Sequence, residues 1–226
     1  MCKSVFITAT GTDIGKTFIS GLLLKKLYAL GHKAGYYKAV LSGSVKTEKG
    51  LLPEDVNYIK NFVPLECPPE TMFSYAYEQA LSPHLAAKLE GMPARLEKII
   101  QDYKKISEQY TYVVVEGCGG AVCPIRYDQT KIFLTDIIRQ LNLSVLVVAH
   151  TTLGTINATV LTIEYLKGQK IPIRGILCNR YHPDNFMEQD NIHMIRELTG
   201  IPIVACVQAD AEDLQMNAEV LLSLFQ

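Results

Sequence analysis

Seven residues near the start of the chain, Gly11-Thr12-Asp13-Ile14-Gly15-Lys16-Thr17, restrict what it can fold into more than any other stretch. They follow a short apolar run, Val5-Phe6-Ile7-Thr8. They open a helical pattern with Ile19, Leu22, Leu23, Leu27 and Leu30 on one face, stopped at Gly31. Strand, glycine-bearing loop, Gly-Lys-Thr and helix make the arrangement that wraps nucleoside-triphosphate phosphates. Glycines let successive backbone N–H groups turn inward toward anionic oxygens, and the helix behind adds its positive end. Lys16 suits the outer phosphates, and the Thr17 hydroxyl suits a Mg²⁺ ion. The strict pattern asks for glycine at position 10. Here Thr10 stands there, and the first glycine, Gly11, comes one residue late.

The 226 residues are enough for one large α/β domain, read here as residues 1–226. A hydrophobic share of 48% with 20% charged residues is that of a globular protein. A formal net charge of −1 gives no basic field for nucleic acid or anionic membrane. The apolar runs are far too short to span a bilayer, and no charged-then-apolar leader precedes the first strand, so a cytoplasmic location is expected. Cys118 and Cys123 lack the spacing and the second pair of ligands that zinc needs, while Cys178 and Cys206 read as buried core residues of strands.

Extended runs alternate with helical ones along the whole chain. Val5–Thr8, Ala34–Val40, Tyr112–Val115, Val145–Ala149, Ile173–Cys178 and Ile203–Val207 read as strands, several of them continuous and β-branched, as in a sheet covered on both faces. The expected fold is α/β, a doubly wound, mainly parallel sheet flanked by helices, P-loop NTPase-like. Residues 63–83, with Pro64, Pro68, Pro69 and Pro83, read as a surface excursion.

Such sheets bind ligands beyond the carboxyl ends of their strands, where the loop glycines, Lys38, Glu116, Asn179 and Gln208 all fall. Glu116 ends an apolar strand and precedes three glycines in four positions, so its carboxylate suits a metal beside phosphates. Asp55, in the first turn of a short helix opened by Pro53, could complete the metal site or simply favour the helix dipole. Lys38 lies in an otherwise apolar strand. It suits either charge developing in a transition state or an edge strand kept from aggregating.

Taken together these pieces resemble the dethiobiotin synthetase family over nearly the full length. The matching runs are Thr12–Thr17, Lys38-Ala39-Val40-Leu41-Ser42-Gly43, Glu54-Asp55, Ser82-Pro83-His84-Leu85-Ala86, Val115–Gly120, Leu153-Gly154-Thr155-Ile156-Asn157 and Cys178-Asn179-Arg180. The resemblance implies ATP and Mg²⁺ as cofactors, and 7,8-diaminopelargonic acid and CO₂ as substrates. It implies a carbamate and then a carbamic-phosphoric anhydride on the way to dethiobiotin. By the same resemblance Lys16 and Lys38 are the catalytic residues, and Thr17, Asp55 and Glu116 hold the metal. Nucleotide contacts are implied for Asp13, Ile14, Gly15, Lys16, Thr17, Phe18, Asp55, Glu116, Gly117, Cys118, Gly119, Asn179, Arg180, Gln208, Ala209 and Asp210. Thr12, Ser42 and Asn157 are implied for the substrate, with Asn157 reaching the neighbouring subunit's site in a homodimer.

The chain departs from the family pattern at Ala9, Gly11, Ala39, Cys118, Ala158 and the Gln208-Ala209-Asp210 loop, and these changes spare the charged residues. Two other readings share the fold. A partitioning-type switch ATPase resembles a pattern with an extra loop lysine, where this chain has Gly11. An amidotransferase-type synthetase requires an appended glutaminase domain, for which the length is lacking.

Overall fold

The computed structural model describes residues 2–48 and 50–225; Met1, Lys49 and Gln226 lie outside the described residues. β1 (Lys3–Ala9) runs through the glycine-bearing loop into α1 (Lys16–Ala29), which returns to β2 (Ala34–Leu41). A hairpin of β3 (Ser44–Thr47) and β4 (Gly50–Pro53) leads into α2 (Glu54–Phe62), a 3₁₀ turn (Pro69–Thr71) and β5 (Phe73–Ala76). α3 (Pro83–Leu89) and α4 (Leu96–Ser107) precede β6 (Tyr112–Glu116). A second hairpin, β7 (Pro124–Tyr127) and β8 (Lys131–Phe133), opens into α5 (Leu134–Gln140). The chain finishes with β9 (Val145–Ala149), α6 (Thr155–Gly168), β10 (Ile173–Asn179), α7 (Phe186–Thr199), β11 (Ile203–Val207) and α8 (Ala218–Ser223).

Seven strands form one sheet in the order β11-β10-β9-β1-β6-β2-β5, and every neighbouring pair is parallel. β1 lies between β6 and β9, with Phe6 level with Val115 on one side and Val145 on the other. The inner strands β2, β6 and β9 are buried at every position, which is why their sequences are apolar without alternation. In α1, Ile19, Leu22, Leu23 and Leu27 are fully buried, each contributing roughly 1.5–3 kcal/mol. Leu30, at the helix end, is partly exposed.

Two expectations need correction. Residues 63–83 are not a surface excursion. They contain β5, the outer strand beside β2, with Ser74, Tyr75 and Ala76 buried. The prolines mask it, because Pro64, Pro68 and Pro69 crowd the approach to the strand and leave the strand itself free of proline. Cys206 is exposed, because β11 is the outer strand at the other edge of the sheet, while Cys178 on β10 is fully buried.

Candidate active site

The phosphate loop closes on α1 through Gly15, whose φ of 95° is one that side chains rarely adopt. A Cβ there would also lie 2.1 Å from Asn179 Nδ2. That amide donates to the Ile14 carbonyl at 2.8 Å, so the end of β10 braces the loop from outside. Lys16 is buried, and its Nζ donates to the Gly11 carbonyl at 3.3 Å, curling over the loop. Burial, and then the nearby Lys38 charge, hold the Lys16 ammonium below its ordinary pKa. Asp13 and Arg180, neither of them glycine, both stand at positive φ (58° and 56°), and both line the same cavity. Strain of this kind costs roughly 1–3 kcal/mol per residue and collects at functional sites.

Strand register builds the charged centre. Lys38 of β2 and Glu116 of β6 are direct partners on adjacent parallel strands. The Lys38 ammonium donates to Glu116 Oε1 at 2.7 Å and to Asp55 Oδ2 at 2.6 Å, with Lys38 and Glu116 almost wholly buried. β2 is an inner strand, so the edge-strand reading of Lys38 falls away. Burial alone would lower the Lys38 pKa, but the Glu116 and Asp55 charges outweigh it and raise it well above the usual lysine range. Burial likewise opposes ionisation of Asp55, yet Lys38 and the Thr17 hydroxyl keep its carboxyl below the ordinary range. The Glu116 second oxygen accepts from Tyr36 at 3.0 Å, and burial followed by the Glu116 charge pushes that phenol far up.

Thr17 Oγ1 stands 2.8 Å from both Asp55 Oδ1 and Glu116 Oε1. Its one proton can serve only one of them at a time. Three hard oxygens so close together, two of them carboxylate, fit a divalent cation of the Mg²⁺ type. Asp55 reaches them from the first turn of α2, whose N-terminal end favours acids.

A cavity of about 490 Å³ gathers Thr12, Asp13, Gly15, Lys16, Thr17, Lys38, Ser42, Asp55, Glu116, Cys118, Gly119 and Arg180. Others of the expected residues lie elsewhere. Phe18 faces a neighbouring groove with Tyr58 and Phe62. Gln208 borders a separate groove with Cys206 and Asp213, while Ala209 and Asp210 are exposed. Asn157 is exposed near the start of α6. Gly117 does not line the cavity; it lets the chain pass closely over the core, where a Cβ would lie 2.8 Å from the Phe6 ring. Asn179 is not among the lining residues, and its Oδ1 is buried with no hydrogen-bond partner among the described residues.

Sequence reasoning missed Tyr36, Glu54 and Leu41 at this site. Tyr36 was findable, because it is two residues before Lys38 and so shares its face of β2. It also missed Glu188. This buried acid of α7 accepts from the Thr151 hydroxyl, the His182 backbone N–H at 2.9 Å and the Asn185 amide at 3.2 Å, and lies 3.0 Å from His182 Nδ1. It ties the loop after β9 to the loop after β10.

A family model described as an AAA domain matches residues 3–215. The ATP-dependent dethiobiotin synthetase of Clostridium perfringens is 44% identical over 219 residues, covering 96% of each chain. That of Brachyspira hyodysenteriae is 47% identical over 208 residues, covering 92% of each. The chain belongs to the dethiobiotin synthetase family. Among solved structures it is similar to the MinC:MinD cell division complex of Aquifex aeolicus (TM-score 0.56, 12% identity, 99% of this chain and 86% of that one). It is also similar to a ParA family ATPase of Chlorobium tepidum (TM-score 0.56, 15% identity, 99% and 90%). Those likenesses show the P-loop NTPase fold. The family shows which branch of it this chain occupies, and the chain gathers Lys16, Lys38, Asp55 and Glu116 at one cavity.

Proposed function

We propose that this chain, as one unit spanning residues 1–226, carries out the dethiobiotin synthetase reaction in the cytoplasm. In it 7,8-diaminopelargonic acid, CO₂ and ATP give dethiobiotin, ADP and phosphate. The observation that carries the reading is the Lys38–Asp55–Glu116–Thr17 cluster facing Lys16 across one cavity. Thr17, Asp55 and Glu116 would hold Mg²⁺, which supplies charge neutralisation at the phosphates.

One amine of the substrate captures CO₂ as a carbamate. A carbamate oxygen then attacks the γ-phosphorus as the bond to ADP breaks. The second amine attacks the carbonyl carbon of the resulting anhydride and expels phosphate, closing the ring. Little of this is covalent work for the protein, which acts by positioning and electrostatics. Lys16, bent back over the loop, neutralises the transferring phosphoryl group. Lys38 carries three N–H donors and spends two on carboxylates, which leaves one for the carbamate oxygen. Thr12 and Ser42, on the cavity wall, orient the diamine. The nucleotide lies along Asp13–Phe18 and Glu116–Gly119, and Asn179 offers its unpartnered oxygen to the exocyclic amine of adenine. Arg180 and the 208–210 loop border the base.

The exposed Leu153 and Asn157 suit a homodimer in which this segment reaches the neighbouring copy's substrate carboxylate. The deciding experiment measures phosphate release from Mg-ATP and bicarbonate, with and without the diamine, with the product weighed by mass spectrometry. Diamine-dependent release with dethiobiotin as product is expected. Release indifferent to the diamine sinks the proposal and points to a switch ATPase.

A further inference from the structure

The loop after β6 carries two cysteines whose thiols take part in no step of the reaction. Cys118 lines the reaction cavity next to Gly119. Cys123 is buried just before β7. Their sulfurs are 3.9 Å apart, and both are free thiols. Gly119, at φ 63°, folds the loop back so that a Cβ there would lie 3.5 Å from Cys123 Sγ. We propose that Cys118 and Cys123 form a reversible oxidative modification site, a dithiol that a peroxide converts to a disulfide at the wall of the cavity, stopping turnover.

The two cysteines are unequally held. The Cys123 carbonyl accepts from the Leu134 N–H at 2.9 Å, which pins it to the start of α5. Cys118 sits among Gly117, Gly119 and Gly120. A disulfide bond is about 2.05 Å long, so the sulfurs must approach by roughly 1.9 Å from their present separation. Rotation about χ1 supplies part of that, and the rest falls on the glycine-rich Cys118 side. That side runs beside the phosphate loop, where a Cβ at Gly120 would be in van der Waals contact with Gly11 Cα at 3.4 Å. Two residues earlier stands Glu116, the partner of Lys38. Closing the disulfide therefore disturbs the phosphate loop and the charged centre together.

The chemistry balances with hydrogen peroxide as oxidant. Cys118 sulfur, reached through the cavity, attacks one peroxide oxygen. The O–O bond breaks, giving a sulfenic acid, and the departing hydroxide leaves as water with the thiol proton. Cys123 sulfur then attacks the Cys118 sulfur. The S–S bond forms, the S–O bond breaks, and the hydroxyl leaves as water with the Cys123 proton. Two thiols and one peroxide become one disulfide and two waters, and an added dithiol reverses it.

The effect on turnover rests on the reading of this cavity as the reaction site, so the reduced protein is assayed first; absence of diamine-dependent turnover there counts against that reading alone. The reduced protein is then treated with hydrogen peroxide, alkylated and digested without reductant. The tryptic peptide Ile106–Arg126 holds both cysteines. It should come out lighter by two hydrogens and unalkylated, with turnover down at least tenfold and restored by dithiothreitol. Cys123→Ala should keep its basal turnover and resist peroxide. Cys206→Ala, which breaks the only other pair of neighbouring cysteines among the described residues (Cys178 and Cys206, level on β10 and β11), should remain as sensitive as the parent. A peptide that stays fully alkylated, a disulfide that leaves turnover intact, or protection by Cys206→Ala in place of Cys123→Ala would each overturn the proposal. The peptide mass is read on the parent protein, so an unstable variant cannot blunt the test.

Discussion

The two halves of the carboxyl edge of the sheet are built differently. At the β1–β6–β2 end Lys38 and Glu116 are buried and already paired: Lys38 with Glu116 and Asp55, Glu116 also with Tyr36. At the β9–β10–β11 end, Asn179 keeps a buried oxygen without a partner, β11 is largely open, and the loops are braced from behind by Glu188. Charges that must act on a phosphoryl group are expensive to desolvate, so they are fixed by strand register before any ligand arrives. Reading a base requires only a few hydrogen bonds, and loops can carry those. The exposed Gln208-Ala209-Asp210 loop belongs to the second end.

The largest expected effect tests the first end. Lys16→Ala, or chelation of divalent cations, should lower diamine-dependent phosphate release by about 10³-fold or more. Because no carboxylate among the described residues forms a salt bridge with Lys16, its loss should leave the urea midpoint nearly unchanged. Lys38→Met should abolish turnover comparably and also destabilise the fold by roughly 3–5 kcal/mol, since it strands a buried carboxylate. The double variant Lys38→Met/Glu116→Gln should regain much of that stability in urea denaturation and none of the activity. Equal stability of the single and double variants would mean the pair is not held as described.

At the second end effects should be smaller and fall on binding. Asn179→Ala should raise the KM for ATP by about 10–100-fold, the worth of one or two hydrogen bonds, with kcat little changed. A collapse of kcat instead would erase the distinction between the two ends. Glu188 carries a pH signature. Burial opposes its charge, but hydrogen bonds from Thr151 and His182 hold its carboxyl below the ordinary range. A depressed folded-state pKa gives stability that is complete above the unfolded value of about 4.3 and lost as pH falls through the folded one. Thermal melts from pH 6 down to about pH 3 should therefore fall less steeply for Glu188→Gln than for the parent. Least of all, Asn185→Ala removes the cap that accepts from the Met187 and Glu188 N–H groups, costing about 1 kcal/mol with kcat unmoved.

The first end was the more legible in sequence, for a physical reason. Buried parallel strands need unbroken apolar runs, and the Lys38 and Glu116 charges stand out against them. That the two are level neighbours was not legible, because register depends on which strands pair across more than seventy residues. Whether a strand is inner or outer was equally hidden. Cys206 reads as core until β11 is seen at the edge, and β5 disappears behind the prolines that precede it. The Glu188 network joins loops from separate crossovers, and no local spacing announces it.

The placing of β1 between β6 and β9 has a consequence in time. A ribosome makes the phosphate loop well before the strands that flank it: Ile7 pairs with Glu116, and Thr8 with Val147. Contacts so distant along the chain form late and slowly. A nascent chain that has emerged only through β5 therefore carries the whole Gly-Lys-Thr segment and neither neighbour of β1. The growing polypeptide cannot enclose the phosphate loop between its two neighbouring strands until β9 has been synthesised, by which time Asp55 and Glu116 have both been made.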